Sequence, residues 1–336
     1  MADGARTDVR IVDVFARDGL QTVLHEERLR TPTTEEKIAI IERLDTAGVP
    51  EIEITGFVHP RVIPSLADAE EVARAVLSQP HRATYRSLVP NVKGAERAMA
   101  TGHHKLSCLI VASETYQRLN SNMSVEQNVQ QIELIAKEAI AAGFEVAVGM
   151  GTSFLCPYDG VLPEDHILRL IGRFVDAGIT EIGLADSIGM AWPTLVRDRV
   201  CAIQSRWPHL TLGLHLHTLA GMAPANVFAA YEAGVSFFEG AAGGIGGGIA
   251  MPVHTTNMGN IATEDLVYLF ESCGVSTGID QEALAQIGRD TQALIGTGSS
   301  FTNSFGTLAE FLRMTNRELE RVRSAPPGDS RAHAAH

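Results

Sequence analysis

Cysteine is scarce in this chain: Cys108, Cys156, Cys201 and Cys273 are the four in 336 residues, widely spaced and without a CxxC pair. That excludes a dense disulfide framework and points to a reducing cytoplasm. Long apolar runs are missing as well. No stretch reaches the ~20 residues of a membrane span, and the opening MADGARTDVR has no apolar signal core. A cytoplasmic protein with no membrane partner is therefore expected. Basic residues are in deficit, 27 Lys and Arg against 40 Asp and Glu, for a net charge of −13. Nucleic acid and anionic membrane both require a basic face, so neither is expected as a partner. An anionic small molecule is still allowed, because a metal ion and one or two arginines can reverse the field inside a cleft.

Short apolar runs alternate with longer amphipathic segments. Strands are expected at Val9–Phe15, Glu51–Phe57, Ala83–Val89, Lys105–Ala112, Glu145–Met150, Glu181–Ala185, Leu210–His217 and Ser236–Gly240. Helical patterns cover Thr34–Ala47, Ala67–Leu77, Ser124–Ala142, Glu164–Ala177, Pro193–Arg206 and Ala223–Ala233, several of them ending in an Ala-Gly pair suited to a left-handed helix cap. Strand–helix alternation means a parallel sheet, and eight strands favour closure into a (β/α)₈ TIM barrel over an open doubly wound sheet. Beyond Asn260 the pattern is helical, at Thr263–Cys273, Gln281–Leu294 and Ser304–Arg323. The expected organisation is a barrel domain over residues 1–295, a C-terminal helical extension over 296–323 and a polar, disordered tail over 324–336.

Four segments could carry chemistry. In Leu214-His215-Leu216-His217, side chains two apart on a strand share a face, so His215 and His217 can offer two imidazoles to one divalent metal. Two polar residues near a barrel mouth would look the same. Phe15-Ala16-Arg17-Asp18-Gly19-Leu20-Gln21 follows the first strand, and barrel enzymes place their chemistry at strand C-termini. Asp18 there offers a hard oxygen and Arg17 a planar cation for an oxyanion, although a capping aspartate beside a surface arginine is common at such turns. The run Gly243-Gly244-Ile245-Gly246-Gly247-Gly248 permits close backbone approach to a ligand, as a cradle or as a lid. Asn260 precedes a helix carrying Glu264 and Asp265, which by itself reads as a cap.

Taken together, and in chain order from about residue 9 to about 295, these segments resemble the hydroxymethylglutaryl-CoA lyase family. Arg17-Asp18-Gly19-Leu20-Gln21, Glu53-Ile54-Thr55-Gly56-Phe57-Val58, Pro90-Asn91-Val92-Lys93-Gly94 and Ala112-Ser113-Glu114 carry the resemblance. So do Cys156-Pro157-Tyr158-Asp159-Gly160, Asp186-Ser187-Ile188-Gly189, the histidine pair and Gly259-Asn260-Ile261-Ala262-Thr263-Glu264-Asp265-Leu266-Val267-Tyr268. The resemblance implies a carbon–carbon lyase that cleaves a 3-hydroxy acid or its CoA thioester, a retro-Claisen or retro-aldol reaction giving a carbonyl product and an enolate. It further implies that Asp18, His215, His217 and Asn260 ligate Mg²⁺ or Mn²⁺. Arg17 would stabilise the enolate, and Gln21, Glu53, Asp186 and the loop glycines Gly247 and Gly248 would orient ligands or substrate. Barrels of this type associate through outer helices, so a homodimer is expected. Cys156, in its CPYDG match, takes a structural role.

The chain departs from the family pattern at three places. Gly248 stands where the family's glycine loop ends in an acidic cysteine, and the following Ile249–Asn257 stretch is longer. His254 within it has a suitable unperturbed pKa to act as the replacement acid; water or another residue is the alternative proton source. Thr218 replaces an aspartate after the second histidine, and Thr297–Asn303 shows no basic residues to hold coenzyme A. These departures keep two other readings in play: an aldolase, lyase or condensing enzyme for a non-CoA substrate, and a silent ligand-binding homologue. The joint presence of Arg17 and all four ligands argues against the silent one.

Overall fold

The alternation of buried four- to seven-residue runs with amphipathic helices closes into a barrel in the computed structural model, which describes residues 9–21, 23, 29–247, 259–306 and 308–324. The barrel strands are β1 (Arg10–Asp13), β2 (Glu51–Gly56), β3 (Thr84–Val89), β4 (Lys105–Val111), β5 (Glu145–Gly151), β6 (Glu181–Asp186), β7 (Thr211–Leu216) and β8 (Phe237–Gly240). Each pairs in parallel with its neighbours in sequence, and β8 returns to β1 through Arg10 opposite Phe237 and Asp13 opposite Gly240. This is the (β/α)₈ barrel expected from the alternation; the open sheet is excluded.

Between the strands run α1 (Thr34–Thr46), α2 (Ala69–Leu77), α3 (Val92–Met99), α4 (Glu114–Ser121), α5 (Val125–Ala141), α6 (Glu164–Asp176), α7 (Pro193–Arg206) and α8 (Ala223–Glu232). Local chemistry sets their ends. Capping boxes start α1 at Thr33 with Glu36 and α5 at Ser124 with Gln127. Helices α6 and α8 end ahead of Gly178 and Gly234, whose φ angles of 87° and 101° suit glycine alone among common residues. Helices α3 and α4 escape the periodicity reading because they are only two turns long. Each nevertheless has a side-chain cap, Asn91 accepting from Gly94 N and Ser113 from Tyr116 N.

The barrel interior shows why its small residues are where they are. The Phe237 ring lies over its register partner Gly213 on the neighbouring strand β7, where a Cβ would lie 2.0 Å from it. Burying such a ring contributes about 1.5–3 kcal/mol. On the walls, Gly149, Gly151 and Gly183 leave the space above the centre clear of side chains.

After β8 come α9 (Thr263–Ser272) and α10 (Gln281–Ile295), which pack on each other and on the barrel. The helix expected over Ser304–Arg323 is two: α11 (Phe301–Phe305) and α12 (Leu308–Ser324). Gly306, at φ 75° and ψ 178°, separates them, and that non-helical geometry stops α11. The tail beyond Ser324, expected to be disordered, lies outside the described residues. No helix among the described residues is long and apolar enough to cross a membrane.

Candidate metal centre

Strand β1 is shorter than its apolar run suggests. Past Asp13 the chain winds into a π-helical turn, Phe15–Gly19, whose five residues are all buried. Such turns are rare and recur at functional sites. Asp13 fixes this one by accepting from Phe15 N at 2.9 Å, and it ties the turn to the segment that follows the neighbouring strand β8 by accepting from Ala242 N at 2.9 Å and Thr263 Oγ1 at 2.6 Å. The turn aims Arg17 and Asp18 over the barrel mouth.

Strand β7, two strands round from β1, delivers the two histidines. His215 lies in the strand, and His217, just past its end, bridges to Asn260. The donor atoms of Asp18, His215 and His217 lie within 4.8 Å of one another. Asn260 joins them by donating Nδ2 to Asp18 Oδ2 and to Ile245 O, both at 2.8 Å. The loop backbone can approach this closely because Gly246, at φ 128°, has no Cβ; one would sit 2.3 Å from Asn260 Nδ2 and 3.0 Å from Asp18 Oδ2.

Two features of this cluster fit a cation. Asn260 Oδ1 is buried and has no hydrogen-bond partner, a costly state for an amide oxygen unless something else meets it. The imidazoles are also oriented from behind. His217 Nδ1 donates to Ser187 O at 2.8 Å, His215 Nδ1 lies 3.0 Å from Glu239 Oε2, and the two Nε2 atoms face each other at 3.3 Å. Backing acceptors on Nδ1 leave Nε2 as the ligating atom, the usual arrangement of metal-bound histidine. One carboxylate, two imidazoles and an amide oxygen form a donor set suited to a divalent ion.

The electrostatics agree. Asp18 is fully buried, and that alone would raise its pKa. The adjacent Arg17 guanidinium, 2.5 Å from Asp18 Oδ1, acts with His217 and His215 to outweigh burial, and together they hold the carboxylate well below its usual range. Burial pushes His215 down, but the Glu239 hydrogen bond and the Asp18 charge overcome it and leave its pKa raised.

Above the cluster is a cavity of about 90 Å³ lined by Arg17, Asp18, Gln21, both histidines and the bare glycines of β5 and β6. Gln21 Nε2 bridges Asp18 Oδ1 at 2.7 Å and Gly247 O at 2.8 Å, fastening the glycine loop to the centre. Glu53 and Asp186 stand behind the wall rather than in it. Glu53 pairs with Arg17 Nε. Asp186 accepts from Met190 N at 3.2 Å and Ala191 N at 2.9 Å, shaping the turn that supports His217. Gly248 and His254 lie outside the described residues. Cys156 is buried away from the cavity, its thiol 3.1 Å from Ser113 Oγ beside the Leu155–Cys156 and Gly160–Val161 hairpin. Tyr116, Asn120 and Glu239 also line the cavity, and sequence reading passed over all three. Only three-dimensional proximity marks them.

Fold and cluster together define a (β/α)₈ barrel enzyme with a group able to hold a metal at the C-terminal mouth, and the comparisons narrow this further. The HMGL-like family model matches residues 8–291. The chain is 37% identical over 321 residues to (R)-citramalyl-CoA lyase of Chloroflexus aurantiacus, covering 90% of this chain and 99% of that one. It is 36% identical to hydroxymethylglutaryl-CoA lyase of Bacillus subtilis over 279 residues, 82% of this chain and 89% of that one. Among solved structures, an HMG-CoA lyase of Acinetobacter baumannii in complex with coenzyme A and 3-methylmalate superposes with a TM-score of 0.83 at 35% identity, covering 92% of this chain and 98% of that one. The chain belongs to the HMGL-like family and is a carbon–carbon lyase.

Proposed function

We propose that this enzyme is a divalent-metal-dependent lyase acting on a 3-hydroxyacyl-CoA with a tertiary carbinol, of the citramalyl-CoA or hydroxymethylglutaryl-CoA type, with Mg²⁺ or Mn²⁺ held by Asp18, His215, His217 and Asn260. The observation that carries this reading is the convergence of those residues, with an unpartnered Asn260 Oδ1, beside Arg17 at the floor of a glycine-walled cavity. A divalent ion held by these residues would supply Lewis acidity, lowering the pKa of the carbinol hydroxyl.

The protein's own residues do the rest. A base takes the hydroxyl proton, the freed oxygen pair forms the new carbonyl, and the bond between the carbinol carbon and the carbon next to the thioester breaks, its electron pair passing into a thioester enolate. Arg17, locked by Glu53 and Asp18, presents a fixed positive charge that the growing enolate oxygen meets without reorganisation. Gln21 and Gly247 keep the loop against the substrate, and the bare walls at Gly149 and Gly183 admit the branched carbon. His254 is proposed as the acid that returns a proton to the enolate. The protein is further proposed to act in the cytoplasm and as a homodimer.

The test is a paired assay. Metal-free enzyme is offered citramalyl-CoA and hydroxymethylglutaryl-CoA with and without Mn²⁺, and acetyl-CoA is measured alongside pyruvate or acetoacetate. Metal-dependent acetyl-CoA with one matching partner product supports the reading. Full turnover without metal, or tight metal binding with neither thioester cleaved, overturns it. Cleavage of free 3-hydroxy acids but not of their thioesters would move the enzyme to the non-CoA class.

A further inference from the structure

Barrel cores are normally filled by layers of branched aliphatic side chains. Here the half of the interior beneath the metal centre carries charge. At the N-terminal ends of the strands, Arg10 pairs with Glu51 at 3.2 Å and Glu181 at 2.5 Å, while Lys105 bridges the same two carboxylates at 2.7 Å each. Directly above stands Arg86 of β3, its side chain almost wholly buried. Arg86 pairs with Glu239 Oε1 through Nη2, lies 3.4 Å from Glu53 Oε1 through Nε, and lies 3.4 Å from Glu51 Oε1 through Nη1.

The second oxygens of two of those carboxylates do different work. Glu53 Oε2 holds Arg17, and Glu239 Oε2 holds the Nδ1 edge of His215. One guanidinium therefore hydrogen-bonds the near oxygen of Glu239 and sets its charge 3.4 Å from the near oxygen of Glu53, while the far oxygens of the two carboxylates hold a ligating imidazole and the cavity arginine. The Glu239 carboxylate, hydrogen-bonded on both sides, cannot rotate, and the His215 ring inherits that restraint; Glu53 is held to Arg86 by charge and passes a looser restraint to the Arg17 fork. A planar fork directs its N–H groups at fixed angles, whereas an ammonium is a point charge without that directionality.

We infer that Arg86 is a positioning residue for the reaction, holding His215 and Arg17 in register with each other through Glu239 and Glu53. This inference rests on the metal-lyase reading above. A purely structural alternative exists, since a buried ion network can be present without serving the site, and the two roles separate experimentally.

The variants are Arg86→Lys, which keeps the charge and loses the fork, and Glu239→Gln, which keeps an acceptor and loses the charge. Three quantities are measured on each beside wild type: the hydrogen-bonded Nδ1–H signal of His215 by NMR in metal-free protein, Mn²⁺ affinity by titration, and kcat with KM. If Arg86 positions the site, Arg86→Lys broadens or removes the His215 signal and weakens Mn²⁺ about 10- to 100-fold, the range typical of groups that orient metal ligands. Its kcat falls more than its KM changes, and Glu239→Gln reproduces the loss. A lowered melting temperature with the His215 signal, Mn²⁺ affinity and kcat all as in wild type overturns the inference. Should Arg86→Lys fail to fold, Glu239→Gln decides the matter by the same three readouts. A wild type that binds no Mn²⁺ would sink the metal reading, and the His215 signal in metal-free protein would still decide the role of Arg86.

Discussion

Asn260 donates its amide nitrogen to Asp18 Oδ2 at 2.8 Å across 242 positions of sequence, while its own buried Oδ1 meets no donor. One side chain thus orients the carboxylate that lies with the two imidazoles, and keeps a buried amide oxygen without a donor. A carboxylate, two imidazoles and an amide oxygen are a donor set suited to the divalent ion proposed above.

Asp18 carries the one carboxylate of the cluster and also neutralises Arg17. In Asp18→Asn the shape is kept and the charge is lost. Mn²⁺ affinity should fall by about 100-fold or more, since even outer partners of metal ligands are worth about 10–100-fold, and turnover should fall with it. Isothermal titration and a steady-state assay check both. Tight Mn²⁺ binding with activity retained would remove Asp18 from the metal site.

Arg17→Lys keeps a cation but gives up the fork that engages Glu53 and Asp18 together. Here the metal should stay while kcat drops about 10²–10³-fold, the scale of a lost oxyanion donor. Single-turnover kinetics with Mn²⁺ held saturating isolate this step. Unchanged kcat would assign Arg17 a structural role alone.

Gly149 is bare cavity wall, and a Cβ there meets nothing nearer than 3.8 Å. Gly149→Val should therefore fold and bind Mn²⁺ as wild type does, while raising KM for a branched substrate several-fold. Competition with a smaller hydroxy acid distinguishes crowding from general damage, because damage would weaken both ligands equally.

His254→Ala should leave Mn²⁺ affinity intact and lower kcat about 10²–10⁴-fold if His254 returns the proton. Solvent-exchange labelling of the acetyl-CoA methyl group reports on that step directly. Wild-type kcat in the variant hands the role to water.

Glu264 governs a pH effect on stability. It is buried beneath the glycine loop, where it accepts from Gly243 N at 3.2 Å and Asn303 Nδ2 at 2.8 Å, and burial raises its pKa to about 8. Its folded pKa thus lies above its unfolded value, so between about pH 4.5 and 8 the folded state binds the extra proton. Stability from this group is complete at low pH and declines as pH rises through that window. Glu264→Gln should flatten the decline, gaining on the order of a few kcal/mol relative to wild type at pH 8 over pH 5. Urea unfolding at the two pH values measures it, and parallel curves for variant and wild type would refute the assignment.

Much of this was legible in the chain because it is written at short range. Strand periodicity, Ala-Gly helix ends and the two-residue spacing of His215 and His217 are local properties, and they were enough for a closed parallel barrel with an imidazole pair at one mouth. Segment order added Asp18, Arg17 and Asn260. The π-turn at Phe15–Gly19 was not legible, because no sequence period marks a single widened turn.

What tertiary structure alone decided is the arrangement of charge. Arg86 and Glu239 look like ordinary strand residues in sequence, and Glu53 like a substrate ligand. Barrel closure brings β2, β3 and β8 around one axis, and only there do these side chains form a floor that grips Arg17 and His215 from below. Sequence spells out which donors are available to a metal. Their convergence depends on strand register and barrel shear, which arise from packing across the whole molecule and have no local signature.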